Sequence, residues 1–423
     1  MADLRTNFAG IKSPNPFWLA SGPPTDKAYN VNRAFEAGWG GVVWKTVGDP
    51  IINTTSRYWA NDHNNSHVAG FTNIELISDR PIDVNLREIK EVKKNWPDRA
   101  VVVSLMVPCT EPDWEDILVK VNETDADGIE LNFGCPHGMS ERGMGASVGQ
   151  VPEYVEMVSR WAKKHSNMPV IVKLTPNITD ILAPAAAAKA GGADAVSLIN
   201  TVASIVSVDL DTMSPLPSVN GKGSHGGYCG PAVRPIALRM VGDIARDEKI
   251  AGIPISGIGG VGTWHDAAEF IALDCGTVQV CTAVMHHGFR IVSDMVDGLS
   301  NWMDSKEYPT IDSFRGQAVP NFVRWEELDM NYELLARINQ DTCIECGKCH
   351  IACEDTAHQA ISMKRTNGSR TYEVIDEECV GCNLCALVCP VENCITMYAV
   401  ENKKPYLAWQ DDPRNPANAA AAE

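Results

Sequence analysis

Two stretches, "CIECGKCHIAC" from Cys343 to Cys353 and "CVGCNLCALVCP" from Cys379 to Pro390, carry the plainest chemistry in this sequence. Each is C-x2-C-x2-C-x3-C, the spacing of a ferredoxin with two [4Fe–4S] clusters, where the fourth cysteine of each run serves the other cluster. Cluster one is then held by Cys343, Cys346, Cys349 and Cys389, and cluster two by Cys379, Cys382, Cys385 and Cys353. Zinc calls for four ligands in two pairs rather than two runs of four. The chain has 14 cysteines and nine fall between Cys343 and Cys394, but neither their spacing nor an export signal supports a disulfide framework. Glu354 follows Cys353 where proline is usual, whereas Pro390 is in place; the departure affects a turn and not the ligand set. Cys394 has no place in the scheme and is expected as a packed thiol.

Cys135 poses a different question. It lies in "ELNFGCPHGMSERGMG", Glu130 to Gly145, at the lip of a loop whose glycines no packed helix or strand would tolerate. A thiol there needs elements that aim it. Eight short, β-branched apolar runs recur, at Phe17–Ala20, Val42–Lys45, Val101–Met106, Gly128–Asn132, Val170–Leu174, Ala195–Asn200, Pro254–Gly257 and Thr277–Cys281. Helical patterns lie between them, such as Asp83 to Trp96, Pro152 to His165 and Thr179 to Gly192. This alternation predicts an α/β chain with a (β/α)8 TIM barrel over 1–304. A connecting arm follows at 305–340, containing the amphipathic "RWEELDMNYELLARI". A small α+β ferredoxin-like domain is expected at 341–402 and a polar tail at 403–423.

Polar residues and glycines sit where the predicted strands end: Ser21, Lys45 with Thr46, Asn132, Lys173, Asn200 with Thr201, Gly259 with Gly260, and Thr282. A barrel builds its active site at those carboxyl ends. Turn preference would explain the glycines but not two lysines at strand ends, because a buried ammonium is costly without an anionic partner. "ISGIGGVG" fits G-x-G-x-x-G, but it lacks the first-strand context and the ribose-binding acid of a dinucleotide site. In a barrel the loops after strands seven and eight hold a phosphate, and "GIGG" and "QVCTA" occupy those positions. One phosphate together with a redox role points to FMN.

The formal net charge of −18 argues against non-specific binding to nucleic acid or an anionic membrane. No apolar run reaches the roughly 18 residues needed to span a bilayer, and the first residues lack the features of a signal peptide. A soluble, cytoplasmic protein is expected.

The motifs "FEAGWGG", "TNIELIS", "CPHGMSERGMG", "KLTPN" and "AVRPIALR", with the paired cluster runs, resemble the catalytic, PreA-type subunits of bacterial NAD-dependent dihydropyrimidine dehydrogenases. They are also similar to the C-terminal half of the long eukaryotic dihydropyrimidine dehydrogenases. The resemblance implies FMN held by Ala20, Ser21, Lys45, Thr46, Lys173, Gly230, Gly259, Gly260, Cys281 and Thr282. It implies pyrimidine contacts from Asn73, Glu75, Asn132, Asn200 and Thr201. Carboxamides suit a pyrimidine dione, which alternates C=O acceptors with N–H donors. It further implies that uracil or thymine is reduced at C5=C6, with Cys135 as the proton donor. A thiol of pKa about 8.5 can give and retake a proton near neutral pH.

His137 is a candidate to tune that thiol or to touch flavin or substrate, and Gly134 stands where the family commonly has serine. NAD(H) and FAD are expected on a separate flavoprotein subunit, giving a hetero-oligomer in which the clusters relay electrons to FMN. Two alternatives stay open: a dihydroorotate dehydrogenase, which shares the FMN barrel, and a two-cluster electron carrier whose barrel is only a scaffold.

Overall fold

The computed structural model describes residues 2–63, 67–136, 138–356, 358–401 and 406–419. The chain divides into two units, Met1–Phe322 and Val323–Glu423. In the first, eight parallel strands close into a barrel in sequence order. They are β1 Phe17–Leu19, β2 Gly41–Val47, β3 Ala100–Leu105, β4 Gly128–Asn132, β5 Val170–Lys173, β6 Ala195–Leu198, β7 Ile255–Ile258 and β8 Cys275–Val280. The three segments singled out as helical form Ile82–Asn95, Pro152–His165 and Leu182–Ala190. Pro152 opens its helix, where its missing N–H costs nothing.

Successive strand residues point to opposite faces, and that alternation sorts the barrel's chemistry. One set, including Phe17, Val42, Val101, Ile129, Val172 and Val278, joins the main apolar core. The other set faces inward and changes character along the strands. At the amino ends it is apolar, with Trp18, Val43, Val102, Ile171 and Ala195 in one buried cluster. Phe8 and Ile11, from the antiparallel hairpin Thr6–Phe8 and Ile11–Ser13, join that cluster, and Phe8 meets Trp18 edge to face at 5.8 Å. Toward the carboxyl ends the inward residues become Ser104, Glu130, Lys173, Ser197, Ser256, Thr277 and Gln279, all buried. The closed apolar end makes the barrel rigid, and the polar end can bind a ligand.

A four-stranded antiparallel sheet forms from chain excursions and was not anticipated from the sequence. It orders Val202–Ser204, Gly226–Cys229, His67–Asn73 and Tyr58–His63. Gly70 lies against the Tyr228 ring, so close that any Cβ there would overlap it. The Tyr228 hydroxyl donates to Asn61 Oδ1 at 2.7 Å.

In the second unit, Glu333–Ile338 pairs antiparallel with Ile395–Val400, and Ile361–Thr366 forms a hairpin with Ser369–Val374. Helices Lys348–Thr356, Leu384–Leu387 and Pro416–Ala419 also belong to it. The stretch 305–340, expected as a connecting arm, is shared between the units. Residues up to Phe322 belong to the first, and "ELLARI" is a strand of the second. Amphipathicity in "RWEELDMNYELLARI" is therefore partly of strand period: Leu335, Ala336 and Ile338 are buried while Arg337 is exposed. No helix among the described residues is long and apolar enough to cross a membrane.

Candidate functional site

A cavity of about 690 Å³ is lined by every residue expected at the flavin, pyrimidine and proton-donor sites. They are Ala20, Ser21, Lys45, Thr46, Asn73, Glu75, Asn132, Cys135, Lys173, Asn200, Thr201, Gly230, Gly259, Gly260, Cys281 and Thr282. They converge because each lies at or just beyond a strand's carboxyl end, or on the antiparallel sheet. His137 lies outside the described residues.

One hydroxyl ties four strands together. Thr46 Oγ1 is 3.1 Å from Ser21 Oγ and 2.9 Å from Ser104 Oγ, and it accepts from Asn132 Nδ2 at 2.9 Å. Asn132 Oδ1 accepts from Asn200 Nδ2 at 2.9 Å, and Asn200 Oδ1 accepts from the Thr201 amide at 2.8 Å. Each side-chain amide has two N–H donors, and these bonds use one from Asn132 and one from Asn200. Among the described residues the second donor of each has no partner and can serve a ligand. Asn73 is fixed separately, donating to the Gly227 carbonyl at 3.0 Å and accepting from the Glu75 amide at 3.1 Å.

Both strand-end lysines are buried and both face carboxylates. Lys45 Nζ is 2.7 Å from Glu75 Oε1, and Arg57 Nη1 is 3.1 Å from the same oxygen. Tyr58 donates its hydroxyl to Glu75 Oε2. Burial opposes ionisation of Glu75, yet Lys45, the Tyr58 hydroxyl and Arg57 together hold its carboxyl below the usual range. Burial and the Glu75 carboxylate push the Tyr58 phenol well up. Lys173 Nζ lies 3.7 Å from Glu130 Oε1, deeper in the barrel. Removing one partner of such a buried pair generally costs about 3–5 kcal/mol. Arg57, Tyr58 and Glu130 were not anticipated. Arg57 and Tyr58 are unremarkable in sequence, and Glu130 sits inside an apolar-looking strand.

The cavity holds three thiols. Burial pushes Cys229 up to about 11, against a hydrogen bond from Thr282, and pushes Cys281 up to about 12. Such thiols are poorly matched to proton exchange near neutral pH. Cys135 is 9% exposed and packs with Ile77, Met106, Met139 and Met144. Its loop is closed by backbone: the Ala146 amide donates to the Cys135 carbonyl at 3.0 Å. His225 Nε2 lies 2.9 Å from the Pro136 carbonyl and pins the loop from outside.

At the far side, Gly259 and Gly260 have φ of +130° and +73°. A Cβ on Gly259 would meet Ala237 at 2.8 Å, and one on Gly260 would meet Arg234 at 2.8 Å and the Gly230 carbonyl at 2.9 Å. Bare backbone in a left-handed turn is what a phosphate cradle needs. A polar, buried barrel end beside that cradle, with Gln279 Oε1 lacking a hydrogen-bond partner among the described residues, fits the ring and phosphate of FMN.

In the second unit two small cavities sort the cysteines. One is lined by Cys343, Cys346, Cys349 and Cys389, with Cys394 as a fifth thiol at its wall, the other by Cys353, Cys379, Cys382 and Cys385. Residues flanking the second cysteine of each run are left-handed, at Glu345 and Gly347 and at Gly381 and Asn383. Each loop thereby wraps its cavity. One helical turn from Cys349 to Cys353 then carries the chain to the other cavity. The two sets are the donors two iron–sulfur clusters require. Cys394 is buried, 3.6 Å from the Asn339 carbonyl, as a packed thiol would be.

Residues 3–303 match the dihydroorotate dehydrogenase family. The chain belongs to that family. Residues 336–397 match the 4Fe-4S dicluster domain. The chain is 43% identical over 405 residues to the NAD-dependent dihydropyrimidine dehydrogenase subunit PreA of Escherichia coli (strain K12), covering 95% of this chain and 97% of that one. It is 42% identical over 337 residues, 77% of this chain and 79% of the other, to the chloroplastic dihydropyrimidine dehydrogenase (NADP(+)) of Arabidopsis thaliana. Against the catalytic subunit of dihydroorotate dehydrogenase B (NAD(+)) of Pyrococcus abyssi, the identity is 36% over 317 residues, 75% of this chain and 99% of that one. The dihydroorotate dehydrogenase family binds FMN, and the cavity has the residues to hold it.

Within this dihydroorotate dehydrogenase-family site, Gly134 has a steric role. Any Cβ there would collide with the Asn200 side chain. Gly134→Ala is therefore expected to push Asn200 off Asn132 while leaving the phosphate cradle intact. With one hydrogen bond worth about 1 kcal/mol, KM for the pyrimidine should rise roughly fivefold to tenfold with flavin content unchanged. Steady-state kinetics beside a flavin assay checks this; an unchanged KM would show that Asn200 is not held by that contact.

Proposed function

We propose that this chain is the catalytic subunit of an NAD-dependent dihydropyrimidine dehydrogenase, reversibly reducing the C5=C6 bond of uracil or thymine to the 5,6-dihydropyrimidine. The observation favouring this over dihydroorotate oxidation is charge. Lys45 and Arg57 are paired with Glu75, Lys173 with Glu130, and Arg234 with Asp266. Orotate would bring a carboxylate into a cavity that holds the Glu75 anion and whose lysines and arginine each already face a carboxylate. A neutral dione needs only donors and acceptors, which Asn73, Asn132, Asn200 and Thr201 offer.

FMN supplies the hydride when bound, and the [4Fe–4S] clusters supply single electrons. Asn132 and Asn200, locked to each other and to Thr46, orient the pyrimidine ring. Cys135 Sγ gives the proton to the ring carbon in reduction and takes it back in oxidation. Met139 and Met144, packed on Cys135, keep water from that proton. Lys173 offers a positive charge to the cavity where negative charge accumulates. Cys343, Cys346, Cys349 and Cys389 hold one cluster, and Cys353, Cys379, Cys382 and Cys385 the other. Because the similar Escherichia coli protein is described as a subunit of an NAD-dependent enzyme, we assign NADH and FAD to a separate flavoprotein subunit. The assembly is a cytoplasmic hetero-oligomer.

The test is the ratio of kcat/KM for dihydrouracil and for dihydroorotate with an artificial acceptor. An unpaired carboxylate in such a site costs several kcal/mol, and about 1.4 kcal/mol is a factor of ten. Dihydrouracil should therefore lead by ~100-fold or more. A lead for dihydroorotate would overturn the assignment.

A further inference from the structure

We propose that Glu130 sets the redox potential of the flavin by offsetting the charge of Lys173 from beneath the cavity. The inference rests on the cavity being the FMN site and goes beyond it, because Glu130 does not line the cavity. It lies in the middle of β4, two residues before Asn132, fully buried and facing the barrel axis. Its Oε2 accepts from Ser197 Oγ at 2.8 Å and from Gln279 Nε2 at 3.4 Å. Gln279 Nε2 also donates to Ser256 Oγ at 3.0 Å, which accepts from Thr277 Oγ1 at 2.9 Å. Strands β4, β6, β7 and β8 thus combine to fix one carboxylate.

Its other oxygen is the informative one. Glu130 Oε1 has no hydrogen-bond partner among the described residues and faces Lys173 Nζ at 3.7 Å. A closed ammonium–carboxylate hydrogen bond is nearer 2.7–2.9 Å. Lys173 is therefore held by charge without being consumed by a bond, and it lines the cavity above. In register, Lys173 lies beside Asn132 on β4 and Ser197 on β6, which puts it directly over the carboxylate tier. A lysine alone at the flavin would favour the anionic reduced ring. A fixed negative charge one layer below works against that preference, and it acts strongly because the barrel interior screens it weakly. Burying a carboxylate is expensive, and four strands contribute the polar groups that hold it.

The test uses the holoenzyme. Flavin content is measured first, and then the flavin midpoint potential by anaerobic titration at pH 6 and pH 9. Glu130→Gln keeps the size and removes the charge. It should shift the potential positive, so that reduced FMN is favoured over oxidised at least tenfold more than in the wild type, about 30 mV for a two-electron couple. Glu130→Asp keeps the charge and should stay within threefold. Should Glu130→Gln fail to fold, Lys173→Met is compared with Lys173→Met/Glu130→Gln, which leaves no unpaired buried charge; the double variant must have the more positive potential. An unmoved or more negative potential in Glu130→Gln, equal shifts for Gln and Asp, or a double variant no more positive than the single one would each overturn the role. A wild-type protein without flavin would overturn the reading of the cavity and this inference with it. Flavin present with an unmoved potential would overturn only Glu130.

Discussion

Replacing Cys135 by alanine should slow pyrimidine reduction by ~100- to 10,000-fold, the usual contribution of a positioned general acid, or roughly 3 to 5 kcal/mol of barrier. The loss should be confined to one step. Cys135 belongs to none of the tie points that anchor the barrel mouth through Thr46, and it is remote in role from the glycine cradle. Flavin content, and flavin reduction by NADH through the proposed flavoprotein subunit, should stay near normal. Cys229 and Cys281 cannot substitute, because burial pushes them up to about 11 and about 12. Cys135→Ser is the finer probe. Its hydroxyl is far less acidic than a thiol, so some activity should remain, and oxidation of dihydrouracil should need higher pH. Stopped-flow measurement of the two half-reactions separates these steps. Wild-type turnover of uracil by Cys135→Ala would remove the thiol from the chemistry.

Cys353→Ala should give the opposite pattern. Although Cys353 belongs to the first cysteine run, it lines the cavity of Cys379, Cys382 and Cys385. Its loss should therefore damage that cluster and remove up to roughly half the iron. Electron flow from NADH should then fail while dihydrouracil still reduces FMN directly. Iron analysis with electron paramagnetic resonance would show which cluster is lost. Damage confined to the cluster of Cys343, Cys346 and Cys349 would contradict the crossed ligation.

The two halves of the chain were legible for different reasons. Cluster donors can be read because the spacing in C-x2-C-x2-C-x3-C itself encodes the loop and the helical turn that Gly347, Cys349 and Cys353 go on to make. Barrel strands can be read because Val101, Val103 and their like need covering on the helix side, and the residue just past each strand must face the mouth. That rule found Lys45, Asn132, Lys173 and Asn200 together. It could not find their partners. Lys45 meets Glu75 30 residues on, and Glu130 meets Gln279 across 149. Glu130 also hides in "GIELN", where a single acid between Ile129 and Leu131 reads as a solvent-facing position of an ordinary strand. The sheet of Tyr58–His63 and His67–Asn73 was hidden by its composition. Asn, Gly and His dilute the alternation that marks a strand, and Gly70 is there because Tyr228 fills its side-chain space. "ELLARI" was absorbed into an amphipathic arm because its strand partner, Ile395–Val400, lies beyond both cysteine runs.

One measurement bears most directly on the central claim that this barrel is a pyrimidine dehydrogenase. Oxidised holoenzyme is mixed anaerobically with dihydrouracil, with no flavoprotein subunit and no nicotinamide present, and the flavin absorbance is followed through a single turnover. Dihydrouracil is expected to bleach the flavin promptly in the wild type and ~100-fold or more slowly in Cys135→Ala. A flavin that stays oxidised with dihydrouracil and is bleached by dihydroorotate would contradict it.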